Sequence, residues 1–293
     1  MKKITKALVP AAGFGTRFLP ASKAIPKVMF PVIDKPIVQI VVEELVASGI
    51  KDITFVLSPF TQDIREHFES FSALNHVLLE SGKKREMEEL EKIEKMAKFS
   101  YVEQRNGRRG TGIAILSARE AIGNEPFVLC WADEFFKAEP PRPKQLIDVY
   151  NKFGGIVFGC IRTTDPRDGS RFGFVTGKKV SNMVTKVEDF VEKPGVGKAP
   201  SDLASVSGMV LLPKIFDYLE KADKIVPKDK ELYHVDGLRL MIEESYPVFA
   251  LEYQNCRYFD TGDRFGYLRA LVELGLESEE FGDSFRKYLE KLV

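Results

Sequence analysis

Apolar runs alternate with amphipathic stretches from the first residues of the chain onward. Ala7 to Pro10 is apolar throughout and predicts a buried first strand. It passes into AAGFGTRFLPASKAIPKVMFPVIDKP, which is too rich in glycine and proline for a regular helix and reads as a long structured loop. After Pro36 the apolar positions Ile37, Ile40, Val41, Leu45 and Val46 recur at helical spacing, and Ser48-Gly49 closes the run. ITFVL at 53–57 predicts the next strand, and 61–68 a second helix. Strand, helix, strand, helix in this order predicts an α/β fold whose sheet is covered by helices on both faces.

The stretch KKREMEELEKIEKMAK at 83–98 carries only a narrow apolar stripe of Leu90, Ile93 and Met96. It predicts a solvent-exposed helix supported by ion pairs such as Glu91 with Lys95. SYVEQ at 100–104 predicts a strand, RNGRRGTG a loop, AILSAREAI a helix and FVLCWADE a strand that ends in acid. Ligands of open parallel sheets bind outside the carboxyl ends of strands, which places Asp133 and Glu134 usefully.

Beyond about residue 155 the texture changes. GIVFGCI, RFGFVTG, KVEDFVEKP and VSGMVLL are short β-rich pieces separated by Gly, Pro and Asp. Some are expected to extend the main sheet and others to form a small lid. PVFALEY at 247–253 predicts a further strand, and YFDTGDRFGYLRALVELG a loop feeding a helix from about Asp263. The terminal SFRKYLEKLV is amphipathic and predicts a helix packed on the body or on another subunit.

Composition then narrows the function classes. The 293 residues are 44% hydrophobic and 29% charged, the balance of an ordinary globular protein. Lys plus Arg and Asp plus Glu are 43 each, so no global field attracts nucleic acid or an anionic membrane. Any phosphate site must be built locally. The first apolar run is too short for a signal peptide or a membrane span, which makes a cytoplasmic protein the expectation. Cys130, Cys160 and Cys256 form no CxxC pair and are expected to be core thiols. His67, His76 and His234 show no metal-ligand spacing, and each is expected to be structural or at the surface. With no GxSxG elbow either, a covalent mechanism is not indicated.

Several groups carry phosphate chemistry. Ala12 and Gly13-Phe14-Gly15-Thr16-Arg17, after the first strand, offer backbone N–H groups, a hydroxyl and a guanidinium that can wrap a polyphosphate. Phe18 stands where a dinucleotide fingerprint needs its third glycine, and no GK[ST] follows. Lys23 and Lys27 lie in the same proline-restricted loop and suit the charge of a leaving pyrophosphate. Asp133 and Asp260, each at a strand-to-loop transition, could converge as hard oxygen ligands of a magnesium ion (Mg2+), phosphate oxygens and waters completing its shell. Read singly, each aspartate is equally a cap or turn residue. Glu192 and Lys193, fixed by Pro194, place an acceptor beside a cation, suited to a sugar hydroxyl and its phosphate. Gly173 is either a close approach for a sugar ring or a hairpin glycine. Gln104, Gly110 and Gly112 are placed in a loop where they could meet a base and ribose.

Taken together these residues resemble the bacterial UTP–glucose-1-phosphate uridylyltransferase family. The run AAGFGTRFLPASKAIPKVMFPVIDKPIVQIVVEELVASGI at 11–50 carries the resemblance most specifically. HFE at 67–69, GTG at 110–112, WADE, EKP, PSDLA at 200–204 and FDTGDRFGYLRA at 259–270 follow in the family's order. The resemblance implies a Rossmann-like nucleotidyltransferase fold with a mainly parallel central sheet, spanning 1–293 as a single domain whose sugar-side β-rich part is about 155–255. It implies that UTP and glucose 1-phosphate give UDP-glucose and pyrophosphate, with Mg2+ as cofactor, and that the chain forms a homo-oligomer. By position, Gly13 and its neighbours contact the nucleotide, while Arg17 and Lys27 hold the triphosphate. Gln104 and Gly110 lie near uracil, Asp133 and Asp260 bind magnesium, Lys193 grips the sugar phosphate, and Glu192 with Gly173 faces glucose. Departures are Val28 where the family usually carries glutamate, WADE in place of a proline-aspartate pattern, Ile113 in place of histidine, and Tyr233-His234-Val235 before Asp236. They leave open a transferase for dTTP or another hexose 1-phosphate, and a regulatory homologue that binds nucleotide sugars without catalysis.

Overall fold

The computed structural model describes residues 2–105 and 107–292. The Asn106 position of the expected RNGRRGTG loop and the last residue of the expected terminal helix lie outside the described residues. Among the described residues thirteen strands occur in chain order: β1 Lys6–Pro10, β2 Pro31–Val32, β3 Lys35–Pro36, β4 Asp52–Leu57, β5 Lys98–Glu103, β6 Phe127–Leu129 and β7 Glu134–Ala138. They continue with β8 Ile156–Arg162, β9 Gly173–Lys179, β10 Val184–Glu192, β11 Leu203–Leu211, β12 Val248–Glu252 and β13 Cys256–Asp260.

Nine of these strands form one sheet in the order β5-β4-β1-β6-β11-β8-β12-β10-β9. The first four are mutually parallel, and only β10 and β11 run against the rest. The short pieces beyond residue 155 therefore extend the main sheet rather than standing apart from it. Alternate residues of β1 explain why both faces are covered. Ala7 and Val9 pack with Val38, Val41, Val42 and Leu45 of helix Ile37–Ala47, whereas Leu8 packs in a second cluster with helices Thr111–Ser117, Lys214–Ile225 and His234–Glu243. The helix Lys84–Lys95 contributes no buried residue, as its narrow stripe predicts, and Lys95 bonds Glu91 at 2.6 Å. Cys130 and Cys160 are buried core thiols, and Cys256 is half-buried.

The expected strand FVLCWADE breaks after Leu129. The Trp131 N–H donates to Ser207 Oγ at 2.9 Å, and the chain turns before resuming as β7. β7 pairs antiparallel with β13 in a separate two-stranded ribbon, with Asp260 directly opposite Glu134. That pairing carries Asp260 across the sequence to the loop that holds Asp133.

A buried cation supports this corner from below. Arg142 is fully buried, with its Nη2 2.9 Å from Glu44 Oε2 and donating to the Glu134 carbonyl at 2.8 Å. Its guanidinium carbon lies 4.9 Å from the Phe136 ring centroid. Replacing Arg142 by Met leaves Glu44 buried without its partner, and is expected to cost about 3–5 kcal/mol of unfolding free energy. Removing both charges, as Glu44→Leu with Arg142→Met, is expected to cost less than the single change. Urea unfolding of the two variants checks this, and equal losses would show that the ion pair is not what the corner depends on.

Candidate active site

Two pockets open at the carboxyl ends of β1, β5 and β6. The first, of about 280 Å³, is walled by Pro10 to Phe14 after β1, Gln104 after β5, Arg109 to Thr111, and Trp131 to Asp133 after β6, with Lys27 and Tyr233 completing it. The second, of about 380 Å³, is lined by Arg17, Arg171, Gly173, Glu192, Lys193 and His234, with Ser205 and Ser207 of β11. Pro10, Thr111, Trp131, Asp133 and Tyr233 line both, so the two spaces meet at Asp133.

The first loop builds its side from short turns. Gly15 takes a left-handed conformation, φ 61°, and opens the turn Thr16–Phe18, while a further turn at Lys27–Met29 is anchored by the buried Val28. Ala12, Gly13 and Lys27 line the first pocket and Arg17 the second, but Gly15 and Thr16 line neither and act on the loop's shape. Lys23 is exposed and also lines neither, so the cation expected there stands away from both spaces. Gln104 and Gly110 line the first pocket; Gly112 does not. Gly110, at φ 118°, runs against the Leu232 carbonyl, where any side chain would collide.

Asp133 and Asp260 converge. A methyl group placed on Gly262 would lie 3.0 Å from Asp260 Oδ1, 3.4 Å from Asp133 Oδ2 and 3.8 Å from Arg17 Nη1. The Asp133 backbone carbonyl accepts from Thr261 N at 3.1 Å and Thr261 Oγ1 at 2.7 Å, which locks the two loops together. Lys27 Nζ bonds Asp133 Oδ2, and Arg171 Nη2 donates to Asp260 Oδ2 at 2.8 Å. Glu134 accepts from Ser207 N and Tyr258 Oη, each at 2.9 Å, on the floor of the second pocket. A register shift in β11 between Ser205 and Met209 aims Ser207 at it. Loss of solvation, then the Asp133 and Asp260 charges, push the Glu134 carboxyl up to about 7.

These observations fit a divalent cation. Asp133 and Asp260 bring carboxylate oxygens to one point, each also paired with a cation, Lys27 or Arg171, and no group of three or more His, Cys, Asp or Glu able to hold a metal occurs among the described residues. A hard cation held by Asp133 and Asp260 would thus take its remaining ligands from phosphate oxygens and water.

On the opposite side, Lys193 takes the left-handed conformation at φ 45°, unusual for a side-chain-bearing residue, and its N–H donates to the Phe172 carbonyl at 3.2 Å. Its Nζ lies 3.8 Å from Glu192 Oε1. Burial raises the Glu192 carboxyl above its ordinary range. Gly173 faces Glu192 across the β9–β10 pair, and a side chain there would overlap the Phe190 ring and lie 2.8 Å from Glu192 Oε2. Arg171, Trp131, Tyr233 and His234 were not legible as site residues from spacing. His234, expected to be structural or at the surface, lines the second pocket. No helix among the described residues is long and apolar enough to cross a membrane.

Residues 6–275 match the nucleotidyl transferase family. The UTP–glucose-1-phosphate uridylyltransferase of Staphylococcus haemolyticus is 37% identical over 292 residues, covering 100% of this chain and 99% of its own. UTP–glucose-1-phosphate uridylyltransferase 2 of Staphylococcus saprophyticus has the same 37% identity over the same 100% and 99%. The structure of a UTP-bound UGPase from Acinetobacter baumannii is similar with a TM-score of 0.89 at 31% identity, over 99% of this chain and 100% of that one. A UDP-glucose pyrophosphorylase complexed with UDP-glucose gives 0.82 at 30% identity, over 94% and 100%. Full-length identity and shared architecture together place this chain in the nucleotidyl transferase family and, within it, among the UTP–glucose-1-phosphate uridylyltransferases.

Proposed function

We propose that this chain transfers the uridylyl group of UTP to glucose 1-phosphate, forming UDP-glucose and pyrophosphate, in the cytoplasm and with magnesium as its metal. The observation that carries the reading is the pair of pockets meeting at Asp133, one beside the glycine loop and one beside Glu192 and Lys193. Relatives whose names and structures concern UTP and UDP-glucose support the choice of substrates. We take 1–293 as one nucleotidyltransferase domain with its sugar side at about 155–255, and the chain as a homo-oligomer that binds neither nucleic acid nor membrane.

The chemistry is a single displacement. A phosphate oxygen of glucose 1-phosphate forms a bond to the α-phosphorus of UTP as the bridging α–β oxygen bond breaks, and pyrophosphate leaves with the electron pair. Ala12 and Gly13 hold the triphosphate through the backbone, with Gly15 and Thr16 setting the loop that presents it. Arg17 and Lys27 meet the charge that develops on pyrophosphate. Gln104 and Gly110 face the base. Lys193 holds the sugar phosphate for in-line approach, and Glu192 accepts from a sugar hydroxyl over Gly173. Asp133 and Asp260 would hold the magnesium ion, which when bound would supply charge neutralisation at the phosphate oxygens.

Gly173→Ala pushes the Phe190 ring and Glu192 out of place. It is expected to raise the KM for glucose 1-phosphate roughly tenfold, in line with overpacking costs, with the KM for UTP unchanged. Steady-state kinetics with each substrate varied in turn checks this. The function itself is tested by magnesium-dependent pyrophosphate release across all triphosphates and several hexose 1-phosphates. Preference for UTP with glucose 1-phosphate is expected, and nucleotide-sugar binding without release from any pair would contradict it.

A further inference from the structure

The wall between the two pockets holds side chains to which the displacement above gives no task. Thr111, Trp131 and Tyr233 line both pockets, and His234 lines the second. The His234 backbone N–H donates to Thr111 Oγ1 at 3.0 Å, and the same oxygen lies 2.9 Å from His234 Nδ1. Among the described residues Thr111 Oγ1 has no other hydrogen-bond partner. With the threonine proton given to Nδ1, the imidazole proton sits on Nε2, the tautomer on which the inference below rests. The ring meets Trp131 edge-on, with centroids 5.3 Å apart and planes at 62°, so its orientation is held from two sides. Burial, with the nearby Lys193 ammonium acting in the same sense, pushes the imidazole pKa down to about 4, and the ring is neutral under ordinary conditions.

We infer that His234 is a specificity-determining residue for the sugar: its Nε2–H donates to a ring hydroxyl of the hexose, while Trp131 provides the apolar wall beside it. The inference rests on reading the second pocket as the hexose 1-phosphate site. A hydroxyl, rather than the phosphate, is the partner because Lys193, assigned to the sugar phosphate, already lines that pocket with Arg171 as a second cation on its wall. A single neutral donor adds little to a dianion already so met, but it suits an oxygen that accepts one hydrogen bond and has no charge.

The test is His234→Leu assayed with glucose 1-phosphate and its monodeoxy analogues. The KM for glucose 1-phosphate is expected to rise roughly five- to tenfold, the loss of one neutral hydrogen bond, with the KM for UTP unchanged. One deoxy analogue, lacking the recognised hydroxyl, should then be used as well as glucose 1-phosphate. His234→Gln keeps an N–H near the same place and should recover most of the discrimination. An unchanged KM overturns the inference, and so does a loss shared equally by every analogue, which would put the donor on the phosphate. Thr111→Val frees the tautomer without touching the imidazole, and should weaken the same discrimination if His234→Leu does not fold. Wild-type protein that releases no pyrophosphate with any pair would instead overturn the reading of the site, a result distinguishable from either outcome at His234.

Discussion

Asp133→Asn should lower kcat by roughly 10³-fold while leaving the protein folded, the scale seen when one preorganised charge partner is removed from a transferring group. The fold survives because the loop is held through the Asp133 backbone carbonyl, which accepts from both Thr261 N and Thr261 Oγ1. Those bonds do not involve the side chain. The carboxylate, by contrast, sits where both pockets meet and faces Lys27 and the Asp260 side, so its loss removes one of the two oxygen ligands that would hold a cation against the phosphate oxygens. Turnover at saturating magnesium, with circular dichroism as the fold control, measures the effect. Wild-type-like kcat in a folded variant would remove Asp133 from the mechanism.

The second large effect belongs to Lys27→Met, which keeps the aliphatic stem and deletes the ammonium. Lys27 lines the first pocket, bonds Asp133 Oδ2, and rests on a turn fixed by the buried Val28. Its position beside Gly15 is close, since a methyl group on that glycine would lie 3.3 Å from Lys27 Cβ. The base of the side chain is thus fixed by the loop, with the ammonium at Asp133 where both pockets meet. Deleting it is expected to reduce kcat/KM by roughly 10²-fold, with kcat carrying most of the loss because the charge it meets develops as pyrophosphate leaves. A change confined to the KM for UTP would mean that Lys27 binds ground state and transition state alike.

Much of the first half of the fold was legible because its apolar runs are long and strongly periodic. Helix Ile37–Ala47 and strand Asp52–Leu57 follow the spacing read from residues 37–57 within a residue or so. The helices Arg142–Phe153, Lys214–Ile225 and His234–Glu243 were left unassigned, although Ile215, Phe216, Leu219 and Ala222 do recur at helical spacing and are buried. In that case the signal was present in the chain. The break in FVLCWADE was not, because it depends on a hydroxyl from Ser207, far away in sequence. The meeting of Asp133 with Asp260 depends in the same way on the β7–β13 ribbon, whose register no local pattern reveals. Lys23 and Lys27 look alike in the sequence; which one faces the pocket is decided by short turns whose direction spacing cannot give. His234 escaped notice because its partner Thr111 lies on another loop and its chemistry arises only from that pairing.

The central claim is that the α-phosphorus of UTP passes to glucose 1-phosphate within this site. It is tested most directly by following UTP labelled at the α-phosphate in the presence of magnesium and glucose 1-phosphate. The label is expected to appear in UDP-glucose, with an equal amount of unlabelled pyrophosphate released and none of the label in free UMP. Label found in pyrophosphate, in UMP or in no product at all would contradict the account.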